Sequence, residues 1–162
     1  MSQQLQQRIE QLKNHCIKHQ LQLGLAESCT GGLFSSLCTQ GPGASNWFTG
    51  AAVVYSNECK NRLLKVNQQT LQRHGAVSKN VAKEMASGVI QQMQCDVAIS
   101  VTGIAGPDGG STDKPVGTVF VGYASIHSQD CIQLQLDGSR IEIQQQTIVQ
   151  AIDYFLTTFI KI

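Results

Sequence analysis

The sequence is poor in charge. Asp, Glu, Lys and Arg make up 14% of its 162 residues, and the formal balance is +1 at pH 7 with histidines neutral. No lysine/arginine run occurs, which argues against a nucleic-acid groove or an anionic membrane surface as the main partner. Aromatic residues are scarce too, at 6% with a single Trp. The core must therefore come from Val, Ile, Leu and Ala. No apolar stretch reaches the roughly 20 residues of a membrane span, and residues 1–7 lack the apolar region of a secretory signal. The six cysteines (Cys16, Cys29, Cys38, Cys59, Cys95 and Cys131) form no C-x-x-C pair. They read as reduced thiols filling a core, not as a disulfide framework or a zinc site, and they point to a cytoplasmic protein. Twenty-one glutamines replace the missing charge.

The length suits one domain over residues 1–162. Leu5, Ile9, Leu12 and Cys16 repeat at helical spacing over 3–20. His15 and His19 share that helix at i and i+4 but have no third ligand, so they read as a solvated face. Residues 23–27 form an apolar strand leading into Ser28-Cys29-Thr30-Gly31-Gly32 and a helix at 33–39. Such a turn exposes a serine hydroxyl beside backbone amides, with Thr30 as a possible N-cap. Residues 47–55 read as a second, buried strand, ending in the polar group Tyr55, Ser56, Asn57, Glu58, Lys60 and Arg62. A short helix at 57–65 would pair Glu58 with Arg62. Residues 67–77 read as a connector. Ser78 caps a helix running to Gln94, with Val81, Met85, Val89 and Met93 on its apolar face. A third buried strand, 96–102, enters a loop containing Gly103, Gly106, Gly109 and Gly110, where backbone can approach a phosphate. Strands at 116–126 and 130–136 form an antiparallel hairpin, and a last helix covers about 141–160.

This order predicts a three-layer α/β/α sandwich around a mixed, mostly parallel sheet of about five strands. Ligands of such sheets bind beyond the carboxyl ends of the strands. Parallel packing would bring Ser28, Tyr55 and Thr102 to one edge.

Five blocks then carry a resemblance: Ala26-Glu27-Ser28-Cys29-Thr30-Gly31-Gly32, Tyr55-Ser56-Asn57-Glu58 with Lys60, His74-Gly75-Ala76-Val77-Ser78, Val101-Thr102-Gly103-Ile104-Ala105-Gly106-Pro107, and Lys114-Pro115-Val116-Gly117-Thr118-Val119. In this order, over roughly residues 5–160, the chain resembles a stand-alone member of the CinA C-terminal domain family, the nicotinamide-nucleotide amidases. The resemblance implies a three-layer α/β/α fold and hydrolysis of the carboxamide of nicotinamide mononucleotide to the acid and ammonia, in pyridine-nucleotide recycling. It implies no metal and no organic cofactor, a small mononucleotide as partner, and a homo-oligomer, with a dimer favoured. The chain departs from the family pattern before its last helix. The family's Gly-Asp-Arg is Gly138-Ser139-Arg140 here, and Gln144 stands at a second arginine position.

Amide hydrolysis needs a nucleophile, a base that becomes an acid, and oxyanion donors. Ser28 is the expected nucleophile, with Cys29 as its rival. Lys60 is the expected base, its pKa lowered by burial or by Arg62, and Tyr55 relays the proton or orients Lys60. Amides around Thr30, Gly31 and Gly32 would hold the oxyanion. Glu27 would brace the turn. Arg140 and the loop with Gly103, Gly106, Gly109 and Gly110 would hold phosphate and ribose, with Thr102 near the nicotinamide. A second reading, motivated by Ser139 and Gln144, is a nucleotide-binding or interaction protein without catalysis. A third is an amidase for another carboxamide.

Overall fold

Apolar side chains at spacings of four and three put Leu5, Ile9, Leu12 and Cys16 on one buried stripe of α1 (Gln3–Lys18). The computed structural model describes residues 3–161. Its centre is one sheet of β1 (Leu23–Glu27), β2 (Phe48–Val53), β3 (Val97–Gly103), β4 (Thr118–Ser125) and β5 (Gln129–Gln135), in the order β2-β1-β3-β4-β5. β1 runs parallel to both neighbours, whereas β4 and β5 are antiparallel, so the sheet is mixed.

Alternation along the strands builds two different faces. Val97, Ile99 and Val101 of β3, with Leu23 and Leu25 of β1, pack under α1, α2 (Leu33–Cys38) and α6 (Arg140–Thr157). On the other face Ala26, Ala98 and Ala124 meet α3 (Asn57–Leu64), α4 (Gln68–His74) and α5 (Lys79–Met93). The small residues there let α5 approach closely. A Cβ at Gly122 would stand 2.3 Å from the Ala82 carbonyl oxygen, and Ser100 Oγ donates to the same carbonyl at 2.6 Å. The expected three-layer arrangement and the β4–β5 hairpin are therefore present.

The sequence expectation needs three corrections. The second strand is not buried: β2 has a single sheet neighbour, and Thr49 and Val53 are exposed, as an edge position dictates. The connector 67–77 contains α4, capped by the Asn67 side chain, which accepts from the Gln69 amide at 2.7 Å. Leu71 is its one buried residue, so it has no apolar stripe to betray it. The last helix ends at Thr157 and continues as a 3-10 turn over Phe159–Lys161.

Glu27 at the end of β1 is level with Val53 of β2 and Val101 of β3. The three parallel strands thus finish on one edge, which is where the polar segments converge.

Candidate active site

The turn after β1 is built around a buried carboxylate. The Ser28 amide continues the sheet by donating to Val101 O at 3.0 Å. Gly31 and Gly32 follow with φ of 61° and 98°, a left-handed backbone that glycine adopts without strain. The chain then reverses into α2. Glu27, fully buried, accepts from the amides of Gly32 at 3.1 Å, Phe34 at 3.0 Å and Ser35 at 2.8 Å. The carboxylate caps α2 from within the protein, as its charge at a helix N-terminus favours. This bears out Glu27 as a brace and overturns two other expectations. Thr30 is not the cap; its Oγ1 is buried without a hydrogen-bond partner. The Gly31 and Gly32 amides are not free for an oxyanion, because the first donates to Ser28 O at 3.1 Å and the second to Glu27. Among the described residues, only Cys29 and Thr30 in this turn keep amides with no carbonyl or carboxylate acceptor.

Lys60 reaches this turn from α3, whose N-cap Ser56 accepts from the Cys59 amide at 3.1 Å. The lysine is fully buried. Its Nζ lies 2.9 Å from Ser28 Oγ, 2.8 Å from Val54 O and 3.0 Å from Tyr55 O. Burial pushes its pKa down from 10.5 to about 8, the nearby thiols of Cys29 and Cys59 acting weakly the other way. Arg62 plays no part in this shift. It pairs with Glu58 at 3.7 Å, and both side chains stand largely in solvent.

The three contacts have unequal chemistry. The two carbonyls can only accept, so they take two N–H groups of the lysine in either charge state. Ser28 can accept or donate. When Lys60 loses a proton, the tetrahedral position left for its lone pair is the one facing Ser28. The geometry therefore aims a neutral amine at the serine hydroxyl.

Other expected residues take different places. Tyr55 is 63% exposed, and its phenol oxygen accepts from Arg140 Nη2 at 3.3 Å. It is the Tyr55 carbonyl, not the hydroxyl, that orients Lys60. Cys29 is buried, and its thiol is pushed up to about 12, chiefly by desolvation, which leaves it protonated and a poor rival to Ser28. Thr102 is not open to a ligand. It is 1% exposed and donates to Ala76 O at 2.8 Å, tying β3 to the α4–α5 connector.

A cleft of about 180 Å³ opens beside the turn. It is lined by Cys29, Tyr55 and Arg140 together with residues 103–106, Asp108 and Gly109. Gly103, Gly106 and Gly109 thus line the cleft, whereas Gly110 lies against Val116 outside the lining. Ser28 is 8% exposed at the turn that bears Cys29. Lys114 anchors the far end of the loop by donating to His74 O at 2.9 Å and Val77 O at 2.6 Å. A groove between the start of α1 and α6 is larger, at about 500 Å³, but glutamines such as Gln4, Gln145 and Gln146 dominate its lining and no serine, threonine, cysteine or lysine lines it.

α6 closes the site. Ser139 caps it in a reciprocal arrangement with Glu142, whose carboxylate accepts from the Ser139 amide at 2.7 Å. Arg140 donates to Gly106 O at 2.8 Å, and Gln144 Nε2 donates to Cys29 O at 2.8 Å. Ile104 and Asp108 belong to the loop 103–110 expected to meet the ligand, although only its glycines stand out in the sequence. The contact of Gln144 with Cys29 joins residues far apart in sequence and left no signal there. The histidine pair His15 and His19 is stacked, with ring centroids 4.3 Å apart. Among the described residues no group of three His, Cys, Asp or Glu side chains could hold a metal ion, and no helix is long and apolar enough to cross a membrane.

The family model for the CinA C-terminal domain matches residues 5–159. The chain belongs to this family. A member from Enterobacter agglomerans, named nicotinamide-nucleotide amidohydrolase PncC, is 47% identical over 137 residues, covering 84% of each chain. A CinA-like protein of Dictyoglomus thermophilum is 43% identical over 85% of this chain but only 33% of its own. The chain spans about a third of the length of the longer curated relatives it matches. Among solved structures, the competence/damage inducible protein CihA from Agrobacterium tumefaciens superposes with a TM-score of 0.92 at 32% identity, over 96% of both chains. A CinA superfamily protein from Escherichia coli gives 0.91 at 30% identity, over 96% of this chain and 90% of that one.

Proposed function

We propose that the protein is an amidohydrolase that converts nicotinamide mononucleotide to nicotinate mononucleotide and ammonia in the cytoplasm, as a homo-oligomer. The observation that carries this reading is the 2.9 Å contact of the buried Lys60 Nζ with Ser28 Oγ, in a setting that lowers the lysine pKa to about 8. Neutral Lys60 takes the hydroxyl proton as Ser28 Oγ attacks the carboxamide carbon. The resulting ammonium gives that proton to the amide nitrogen, and ammonia leaves an acyl-serine. Water, deprotonated by the same amine, attacks the ester; the acid departs and Ser28 regains its proton. No histidine is needed for this cycle. Arg140 supplies the cation for the phosphate at the mouth of the cleft, and the glycine loop supplies backbone contact to the ribose. The 47% identity to a protein named for this activity supports the choice of substrate.

The test is ammonia release from nicotinamide mononucleotide. Ser28→Ala should abolish it while the circular dichroism spectrum and melting transition stay unchanged; full turnover in that variant would overturn the assignment. A non-catalytic nucleotide-binding protein is the competing reading, favoured by one observation: Ser139 and Gln144 are both engaged in structural contacts, leaving Arg140 the one cation lining the cleft among the described residues. It requires nucleotide binding by the wild-type chain without release of ammonia from this or any other carboxamide.

A further inference from the structure

Five consecutive amides that open α2 already have acceptors: Gly31 donates to Ser28 O, Leu33 to Thr30 O, and Gly32, Phe34 and Ser35 to Glu27. That leaves the amides of Cys29 and Thr30 as the donors of the turn with no carbonyl or carboxylate acceptor among the described residues. The Thr30 amide is the one that α6 acts on. Its direction is not set by any contact of its own. It is set by the other end of the same peptide. A trans peptide is planar, so its C=O and N–H point opposite ways, and the C=O in question belongs to Cys29. That carbonyl accepts from Gln144 Nε2 at 2.8 Å. Gln144 lies one helical turn after Arg140 and shares its face of α6, so the helix grips the glycine loop with one side chain and the nucleophile turn with the other. Rotation of the Cys29–Thr30 peptide turns ψ of Cys29 and φ of Thr30, and the Gln144 bond is the contact that holds its carbonyl among the described residues.

We infer that Gln144 is a positioning residue: by holding the Cys29 carbonyl it fixes the Thr30 N–H in the orientation of an oxyanion donor two residues from Ser28. This rests on Ser28 being the amidase nucleophile. Loss of the grip lets the Cys29–Thr30 peptide rotate, and the donor is lost without any change in what binds the nucleotide.

Two measurements test it. In the ammonia assay, Gln144→Glu, which removes the N–H donor at nearly constant size, should lower kcat about tenfold, less than the loss of a whole oxyanion donor, with KM within about twofold. Gln144→Arg, which restores a donor, should keep kcat within about threefold of wild type. All three proteins should share one melting transition. Wild-type kcat in the Glu variant, or a change confined to KM, overturns the inference. The second measurement is independent of the amide: labelling of Ser28 by a fluorophosphonate, in which Oγ bonds to phosphorus, fluoride leaves, and the phosphoryl oxygen needs the same donor. Slower labelling of Gln144→Glu with an inert wild type towards nicotinamide mononucleotide would keep the inference and sink the substrate assignment. Equal labelling rates sink the inference alone. No labelling of wild type at Ser28 sinks both.

Discussion

Two turns leave the same edge of the sheet, the one after β1 and the one after β3, and they are held in opposite ways. The β1 turn is buried and tied by charge: Glu27 takes three amides from below, Lys60 presses on Ser28, and Gln144 pins Cys29. The loop after β3 is exposed from Pro107 to Asp113 and is gripped only near its ends, by Arg140 at Gly106 and by Lys114 at the α4–α5 connector. Reacting atoms need sub-ångström placement, which a desolvated, over-determined turn provides. A ligand's ribose and phosphate need contact and room to enter, which an open glycine loop provides. The contrast predicts that damage to the first turn appears in kcat and in stability, and damage to the second in KM.

The largest effect should come from Lys60→Met, which leaves Ser28 without a base and should lower kcat about a thousandfold, within the usual range for general acid–base catalysis. The pH dependence sharpens this. Burial disfavours the ammonium, so the pKa falls below its usual 10.5, and in the proposed cycle it is the neutral form that accepts the serine proton. The wild-type rate should therefore rise with pH through an apparent pKa of about 8; a flat profile from pH 6 to 9 would remove Lys60 from the role. Next comes Glu27→Gln. Trading a carboxylate that accepts three amide hydrogen bonds for an amide should cost about 2 kcal/mol of unfolding free energy, read from urea denaturation. A smaller effect is expected for Arg140→Ala: about a tenfold rise in KM, close to 1.4 kcal/mol, with kcat nearly kept. The smallest is Lys114→Met, which frees the far end of the glycine loop and should raise KM about threefold without moving kcat. If instead Arg140→Ala lowered kcat as Lys60→Met does, the division between the two turns would fail.

Much of this was legible in the chain. Apolar runs marked β1 and β3, helical spacing marked α1 and α5, and the convergence of strand ends brought Ser28, Tyr55 and Thr102 to one edge, whereas the contact of Lys60 with Ser28 is a matter of how α3 packs. What escaped notice escaped for physical reasons. α4 buries only Leu71, so it has no periodic stripe. β2 looks like a core strand because it is apolar, and only its place in the sheet order makes it an edge. Thr102 ends a strand as a binding residue would, but side-chain alternation turns it into the α5 layer. The Gln144 contact joins residues 115 apart in sequence and follows from how α6 lies over the sheet. The donor count at α2 depended on which side chain reached those amides first, and Glu27 did.

The cage around Lys60 has a consequence for how this site tolerates mutation. Its two fixed acceptors are the main-chain carbonyls of Val54 and Tyr55. Every amino acid carries that atom, so a change at position 55 leaves the cage itself intact provided the backbone keeps its path, even though it alters the cleft wall and the partner of Arg140. Position 60 has no such latitude. An arginine there would stay charged across the working pH range and would present a planar fork with no lone pair for Ser28. The cage would thus survive a new side chain at position 55 and fail with one at position 60.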